Sequence, residues 1–171
     1  MNSALPVFLP GSPGKLKPAT KACKAAIFQV ANHWLALPAT AILKVIASSA
    51  LASQGSETNS LALWENHPLI WLELHHLVQS SARGINQQQP FTKPHSYVVI
   101  VWSQTGERCA IPVDGLPILL EMPLSEVQIL PPHYRQTIGS IAKHMVVLPY
   151  KGTTLTILLL DLQQALYSSS Q

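Results

Sequence analysis

Two stretches of this chain spell the same pattern. Trp71–Leu72–Glu73–Leu74–His75–His76–Leu77–Val78 runs as apolar strand end, acid, leucine, two polar residues and two apolar ones. Leu159–Leu160–Asp161–Leu162–Gln163–Gln164–Ala165–Leu166 runs the same way. Self-similarity of this kind means that one structural unit is used twice, which restricts the possible folds more than any single propensity does. Upstream, both copies also show strand, turn, strand, proline and strand. Residues 79–95 between them are rich in Ser, Gln and Pro and read as a linker.

Within each copy the apolar runs are short and closely punctuated, which is the spacing of strands in a barrel or sandwich. Ala26–Val30 and Trp34–Leu37 flank a tight turn at Ala31–Asn32–His33, and Ile42–Ile46 follows the break at Pro38. Pro68–Leu74 is a further run. Tyr97–Trp102 is β-branched and aromatic, Gln104–Thr105–Gly106–Glu107 gives a hairpin signal, and Cys109, Ile111 and Val113 then alternate. Leu116–Met122, His144–Leu148 and Leu155–Leu160 complete the strands. The last begins with Thr154 and Thr156 on one face and ends apolar on both, so its end is buried on two sides. Asp161 and Gln164 form a capping-box pattern that opens a short helix over 161–167.

Only 11% of residues are charged, against about 25% in ordinary soluble domains. With 47% hydrophobic residues, much of the surface must be neutral-polar or apolar, which suits contact with other proteins. The net charge of +3 comes largely from Lys15, Lys17, Lys21 and Lys24 in a Pro- and Gly-rich segment, residues 1–24, that reads as a disordered leader. The remaining cations are scattered singly, which argues against a nucleic-acid footprint. The run Ala4–Pro10 is broken by Pro6 and Pro10 and lacks the basic start of a signal peptide. No apolar stretch approaches the roughly 20 residues of a membrane span. These readings place the chain in the cytoplasm.

The chemistry of catalysis is not visible in the sequence. The glycines are dispersed, there is no Gly-x-Ser-x-Gly elbow, and Cys23 and Cys109 suggest neither export nor a reactive thiol. Adjacent His75 and His76 diverge on either a helix or a strand, and the other histidines lack Cys or carboxylate neighbours at metal-site spacing. Glu73, Asp114 and Asp161 follow strand ends, with nothing to place them in one cleft. The expectation is no catalytic residue, no metal and no cofactor.

Phe28–Gln29–Val30, Trp34–Leu35–Ala36–Leu37–Pro38 and Ile42–Leu43–Lys44–Val45–Ile46, in that order, resemble the opening of the domain of the CheW family of chemotaxis coupling proteins. Ile111–Pro112–Val113–Asp114 and Leu159–Leu160–Asp161–Leu162 are similar to its later signatures, over roughly residues 25–167. The resemblance implies a mainly β fold of two five-stranded SH3-like or OB-like barrels with a short C-terminal helix. The first barrel is expected at about 25–78 and the second at about 96–160. It also implies an adaptor bridging the cytoplasmic tip of a methyl-accepting receptor and the regulatory domain of a CheA-type histidine kinase, in chemotaxis or pilus-driven motility, close to the membrane through receptor arrays. The alternative is an OB-like module for single-stranded nucleic acid.

Two departures stand out. The family's usual Glu in its third strand is Lys44, and the usual Arg of its "N-L-R-G" is Glu65, within Leu63–Trp64–Glu65–Asn66. In the family these positions face one another across the first barrel, so an ion pair of swapped polarity is expected here, alongside the reading of two independent changes. Leu43, Lys44, Val45, Trp64 and Glu65 are the residues expected to touch a partner. Trp71, where the family has a small aliphatic residue, is expected in the core.

Overall fold

The computed structural model describes residues 21–53, 61–79, 95–138 and 141–169. Most of the 1–24 leader and of the 79–95 linker therefore lies outside the described residues. Among the described residues twelve strands run in chain order: β1 (Ala22–Val30), β2 (His33–Pro38), β3 (Ile42–Ala47), β4 (Ala52–Ser53), β5 (Leu61–Trp64), β6 (His67–Trp71), β7 (Tyr97–Trp102), β8 (Arg108–Val113), β9 (Ile118–Pro123), β10 (Gln128–Ile129), β11 (Ala142–Tyr150) and β12 (Thr153–Leu160). The helices are α1 (Leu74–Gln79), α2 (Pro132–Ile138) and α3 (Leu162–Ser169). Cys23 and Lys24, read as leader, belong to β1, where they pair with Met122 and Glu121. The fold is mainly β, as the run lengths require.

The strands form two six-stranded sheets, in the orders β10-β11-β12-β2-β1-β9 and β4-β5-β6-β8-β7-β3. In each, the two edge strands are consecutive in the chain and joined by one 3-10 turn: Leu124–Glu126 between β9 and β10, Ser48–Ala50 between β3 and β4. That short link draws the edges together, so each sheet curls into a barrel whose fifth strand is kinked in the middle. We call them barrel A and barrel B in the order given.

Read in that order, the two sheets match position for position, with β7 and β8 standing where β1 and β2 stand in the other. The two halves of the sequence are thus two copies of one unit. Here the expectation of one barrel per half is corrected: each barrel takes its opening hairpin from one copy and its remaining four strands from the other. Barrel B is drawn from 42–113, and barrel A from 22–38 together with 118–160. The joints of this exchange are two parallel pairings. Trp34, Leu35 and Ala36 lie beside Ile157, Leu158 and Leu159, and Ile70 and Trp71 lie beside Cys109 and Ala110.

The exchange explains why the hairpins are apolar on both faces. Alternate residues of β1, Ala25 and Ile27, fill barrel A together with Ala36, Met122, Val146 and Ile157. The intervening Phe28 and Val30 turn the other way, into a central cluster with Leu35, Leu37, Val99, Val101, Ile111 and Leu158. On β7, Val98 and Ile100 fill barrel B with Leu69 and Ala110, while Val99 and Val101 join the centre. Period-two alternation thus serves two cores at once. At the end of β12, Ile157, Leu158 and Leu160 are all buried, as its run of leucines requires.

The repeated strand-acid-leucine pattern is the junction from β6 to α1 and from β12 to α3. Both acids cap: the His75 N–H donates to Glu73 Oε1 at 3.2 Å, and the Gln164 N–H to Asp161 Oδ1 at 3.1 Å. The reciprocal half of the capping box is missing, because Gln164 Oε1 is buried without a hydrogen-bond partner. The turns joining β5 to β6 and β11 to β12 also correspond. Glu65 and Asn66 have φ of 50° and 63°, and Lys151 and Gly152 of 47° and 79°, the positive values that two-residue hairpin loops need.

Candidate interaction surface and histidine–carboxylate cluster

On barrel B, a β-bulge lies between Ile42 and Lys44, so Leu43 has no cross-strand partner. The extra residue breaks the alternation of β3, and Leu43 and Lys44 are both exposed. Barrel closure then brings β3 to the β5–β6 turn, where Lys44 Nζ lies 3.6 Å from Glu65 Oε1. The pair of swapped polarity therefore exists, with side chains 52% and 61% exposed. Lys44 Nζ also sits 5.2 Å from the centroid of the Trp64 ring. The Arg108 guanidinium is 5.9 Å from that ring and 5.1 Å from that of Trp102. Trp102, Arg108, Trp64, Lys44 and Glu65 thus form a ladder of alternating rings and charges across four strands and a turn. Arg108 and Trp102 belong to this surface but carry no local signal in the sequence; they meet because they face each other across the β7–β8 register. Val45 is half-buried against the central core, and Trp64 and Trp71 are half-buried against the interior of barrel B.

Barrel A offers a second surface. Leu116, Leu119 and Ile129 are 63%, 69% and 66% exposed, and Leu124 is also exposed. They lie on β9, β10 and the segments flanking them, around the kink of the fifth strand. Large apolar side chains exposed together on adjoining elements set this face apart from isolated surface residues.

Between the barrels lies a polar cluster. Glu73 precedes α1, His75 sits in the first turn of α1, His95 leads into β7, and Asp114 follows β8. His75 Nδ1 is 2.7 Å from Glu73 Oε1, and its Nε2 is 2.9 Å from Asp114 Oδ1. His95 repeats the arrangement more loosely, with Nε2 3.5 Å from Glu73 Oε2 and Nδ1 3.7 Å from Asp114 Oδ1. The two rings lie side by side, centroids 4.3 Å apart. Backbone bonds fix the frame: the Asp114 N–H donates to Gln29 O at 2.9 Å, and the Ser48 hydroxyl donates to His95 O.

Burial opposes ionisation of Glu73, but hydrogen bonds and charge from His75 and His95 outweigh it and hold its carboxyl well below the usual range. Burial likewise opposes the His75 charge, and the bonds to Glu73 and Asp114 overcome it, raising the pKa of that ring. The cluster corrects two expectations. His95, expected to lack carboxylate neighbours, stands between Glu73 and Asp114, and those two acids do share one site. Their proximity arises from the parallel pairing of β6 with β8, which sequence spacing does not reveal. Cys109 is a core thiol, pushed up to about 11 by burial and by the nearby charge of Glu107. Among the described residues no helix is long and apolar enough to cross a membrane.

No protein-family model and no curated protein sequence matches the chain. Among solved structures the chain is similar to the scaffolding protein TtCheW from Thermoanaerobacter tengcongensis, with a TM-score of 0.58 at 12% identity. The match covers 81% of this chain and 89% of that one. The fold is CheW-like, with two SH3-like barrels and a C-terminal helix.

Proposed function

We propose that the chain is an adaptor that couples methyl-accepting receptors to the regulatory domain of a CheA-type histidine kinase, in chemotaxis or pilus-driven motility. The observation that carries this reading is the CheW-like double barrel over four-fifths of the chain, shared with a protein described as a scaffold. The surfaces support it. Barrel B presents Leu43, Lys44, Trp64 and Glu65 around the bulge, and barrel A presents Leu119, Leu124 and Ile129 around the kink. Two separate contact faces on one chain are what a bridging protein needs. Val45, half-buried, supports the backbone of the first face and contributes little direct contact. On this reading the protein has no catalytic residue and works in the cytoplasm beside receptor arrays.

The swapped Lys44–Glu65 polarity points to partners with complementary charges, since a like-charge encounter at this spot disfavours the ordinary ones. The test is affinity capture from the native cytoplasm with the full chain and with Leu43→Asp. Recovery of a histidine kinase or a methyl-accepting receptor by the first and its loss with the second is the expected result. Recovery of neither by the full chain overturns the reading. The Trp64–Arg108–Trp102 ladder also suits stacked bases, the alternative of a single-stranded nucleic-acid module. Retention on a single-stranded DNA column at moderate salt would favour that alternative, and Glu65 within the ladder opposes it.

A further inference from the structure

The histidine–carboxylate cluster has a symmetry that an ion pair alone does not require. Both rings bridge the same two carboxylates: each turns one nitrogen to Glu73 and the other to Asp114. On the Glu73 side, one atom each from Glu73, His75 and His95 lies within 4.8 Å of the others. A tetrahedral zinc ion with bonds of about 2.0–2.1 Å holds its ligand atoms about 3.4 Å apart; His95 Nε2 stands 3.5 Å from Glu73 Oε2, and the 2.7 Å hydrogen bond between His75 Nδ1 and Glu73 Oε1 opens by roughly 0.7 Å when an ion replaces its proton. On the other side, Asp114 lies 2.9 Å from His75 Nε2, within hydrogen-bond length, as a carboxylate does when it orients a metal-bound histidine, and 3.7 Å from His95 Nδ1. His95 Nδ1 is buried without a hydrogen-bond partner, so the direct contacts leave this ring only partly satisfied.

We infer that Glu73, His75 and His95 form a binding site for a divalent transition-metal ion of the zinc type, with Asp114 orienting the two imidazoles. The donor set selects the class: two imidazoles with a carboxylate suit zinc, cobalt or nickel rather than magnesium or calcium, which take oxygen ligands. Three protein ligands leave a fourth position for water. The site is half-buried and framed by the Asp114 N–H, which donates to Gln29 O of β1, and by the Ser48 hydroxyl, which donates to His95 O, so Asp114 and His95 are held in place before an ion arrives. A bound ion would cross-link the start of α1, the entry to β7 and, through Asp114, the end of β8.

The experiment uses the full chain without a histidine tag, stripped with a chelator and titrated with zinc chloride by calorimetry and with cobalt chloride by visible absorption. The expected result is saturable binding of one ion per chain, with cobalt bands typical of a four-coordinate site. His95→Gln should weaken zinc binding by ~100-fold, and Asp114→Asn by ~10–100-fold, as loss of an orienting carboxylate does. His76→Gln, an exposed neighbour on the same helix, should bind as the parent does. Zinc should also shift the imidazole resonances of His75 and His95 in the unmodified protein and leave those of His76 and His144 in place, a readout independent of how the variants fold. Absence of saturable binding by the unmodified protein overturns the inference, as do equal affinity in His95→Gln or shifts confined to other histidines.

Discussion

Leu69→Ala tests whether the two barrels behave as one cooperative body. Leu69 is fully buried inside barrel B, against Val98, Ile100 and Ala110, with Trp64 and Trp71 partly covering the cluster. Truncation removes three carbons, worth about 0.8 kcal/mol each in transfer, and adds a cavity term that the half-buried tryptophans can partly relieve. The expected loss is about 3 kcal/mol, near the low end of buried Leu→Ala changes. In a chain of this size that lowers Tm by roughly 6–12 °C. The reporter sits in the other barrel. Trp34, on β2, packs against the interior of barrel A. In a variant with Trp34 as the only tryptophan, its fluorescence should follow urea unfolding with the same loss of stability as a variant retaining only Trp71. The coupling comes from the central cluster, where Phe28, Val30, Leu35 and Leu37 pack with Val99, Val101, Ile111 and Val113. A Trp34 transition that stays in place while that of Trp71 shifts would refute the reasoning.

Further outcomes follow from single features. A double-mutant cycle of Lys44→Glu and Glu65→Lys should show a coupling of ~0.2–1 kcal/mol, as for exposed pairs, and stability of the double variant near the parent; zero coupling would reduce the contact to a coincidence of two exposed chains. Native Cys109 should resist iodoacetamide at pH 8 while Cys23 reacts, one adduct appearing by mass spectrometry, because burial and a raised pKa both protect Cys109. Burial lowers the pKa of His33 from its ordinary 6.5, so its contribution to stability is present above that pH and lost as pH falls below it. His33→Gln should therefore lose less urea stability between pH 7 and pH 5 than the parent. Asp161→Ala should cost about 1 kcal/mol by removing the cap on the Gln164 N–H, read by urea titration.

What the sequence made legible was local. The shared strand-acid-leucine ending announces two copies of one unit because capping acids act within three residues of themselves, and both Glu73 and Asp161 do so. The run Tyr97–Trp102 matches its strand residue for residue. The turn around Gly106 follows from its φ of 83°. Assignment of strands to barrels was hidden, since β1 and β2 are apolar on both faces and alternation cannot say which neighbours they join. Strands β4, β5 and β10 and helix α2 passed unseen because they are short and their partners are distant or their apolar runs brief. The histidine cluster was hidden for a related reason: its members come from 73–75, 95 and 114, and spacing rules for metal sites reach only along one segment. The Lys44–Glu65 contact was legible through the family resemblance alone.

The exchange of hairpins sets an order of events during synthesis. Strands β3 to β8, all of barrel B, have emerged once Val113 is made, whereas β1 and β2 appear first and await β9 and β12. At about 5–20 residues per second, the interval from Pro38 to Leu160 lasts roughly 6–25 s. Through that interval the N-terminal hairpin can rest one apolar face on the hairpin of barrel B, but its strand edges stay unpaired and the face that will fill barrel A stays wet. A nascent chain stalled before β12 is therefore the form in which this protein is most exposed to aggregation and most in need of a chaperone.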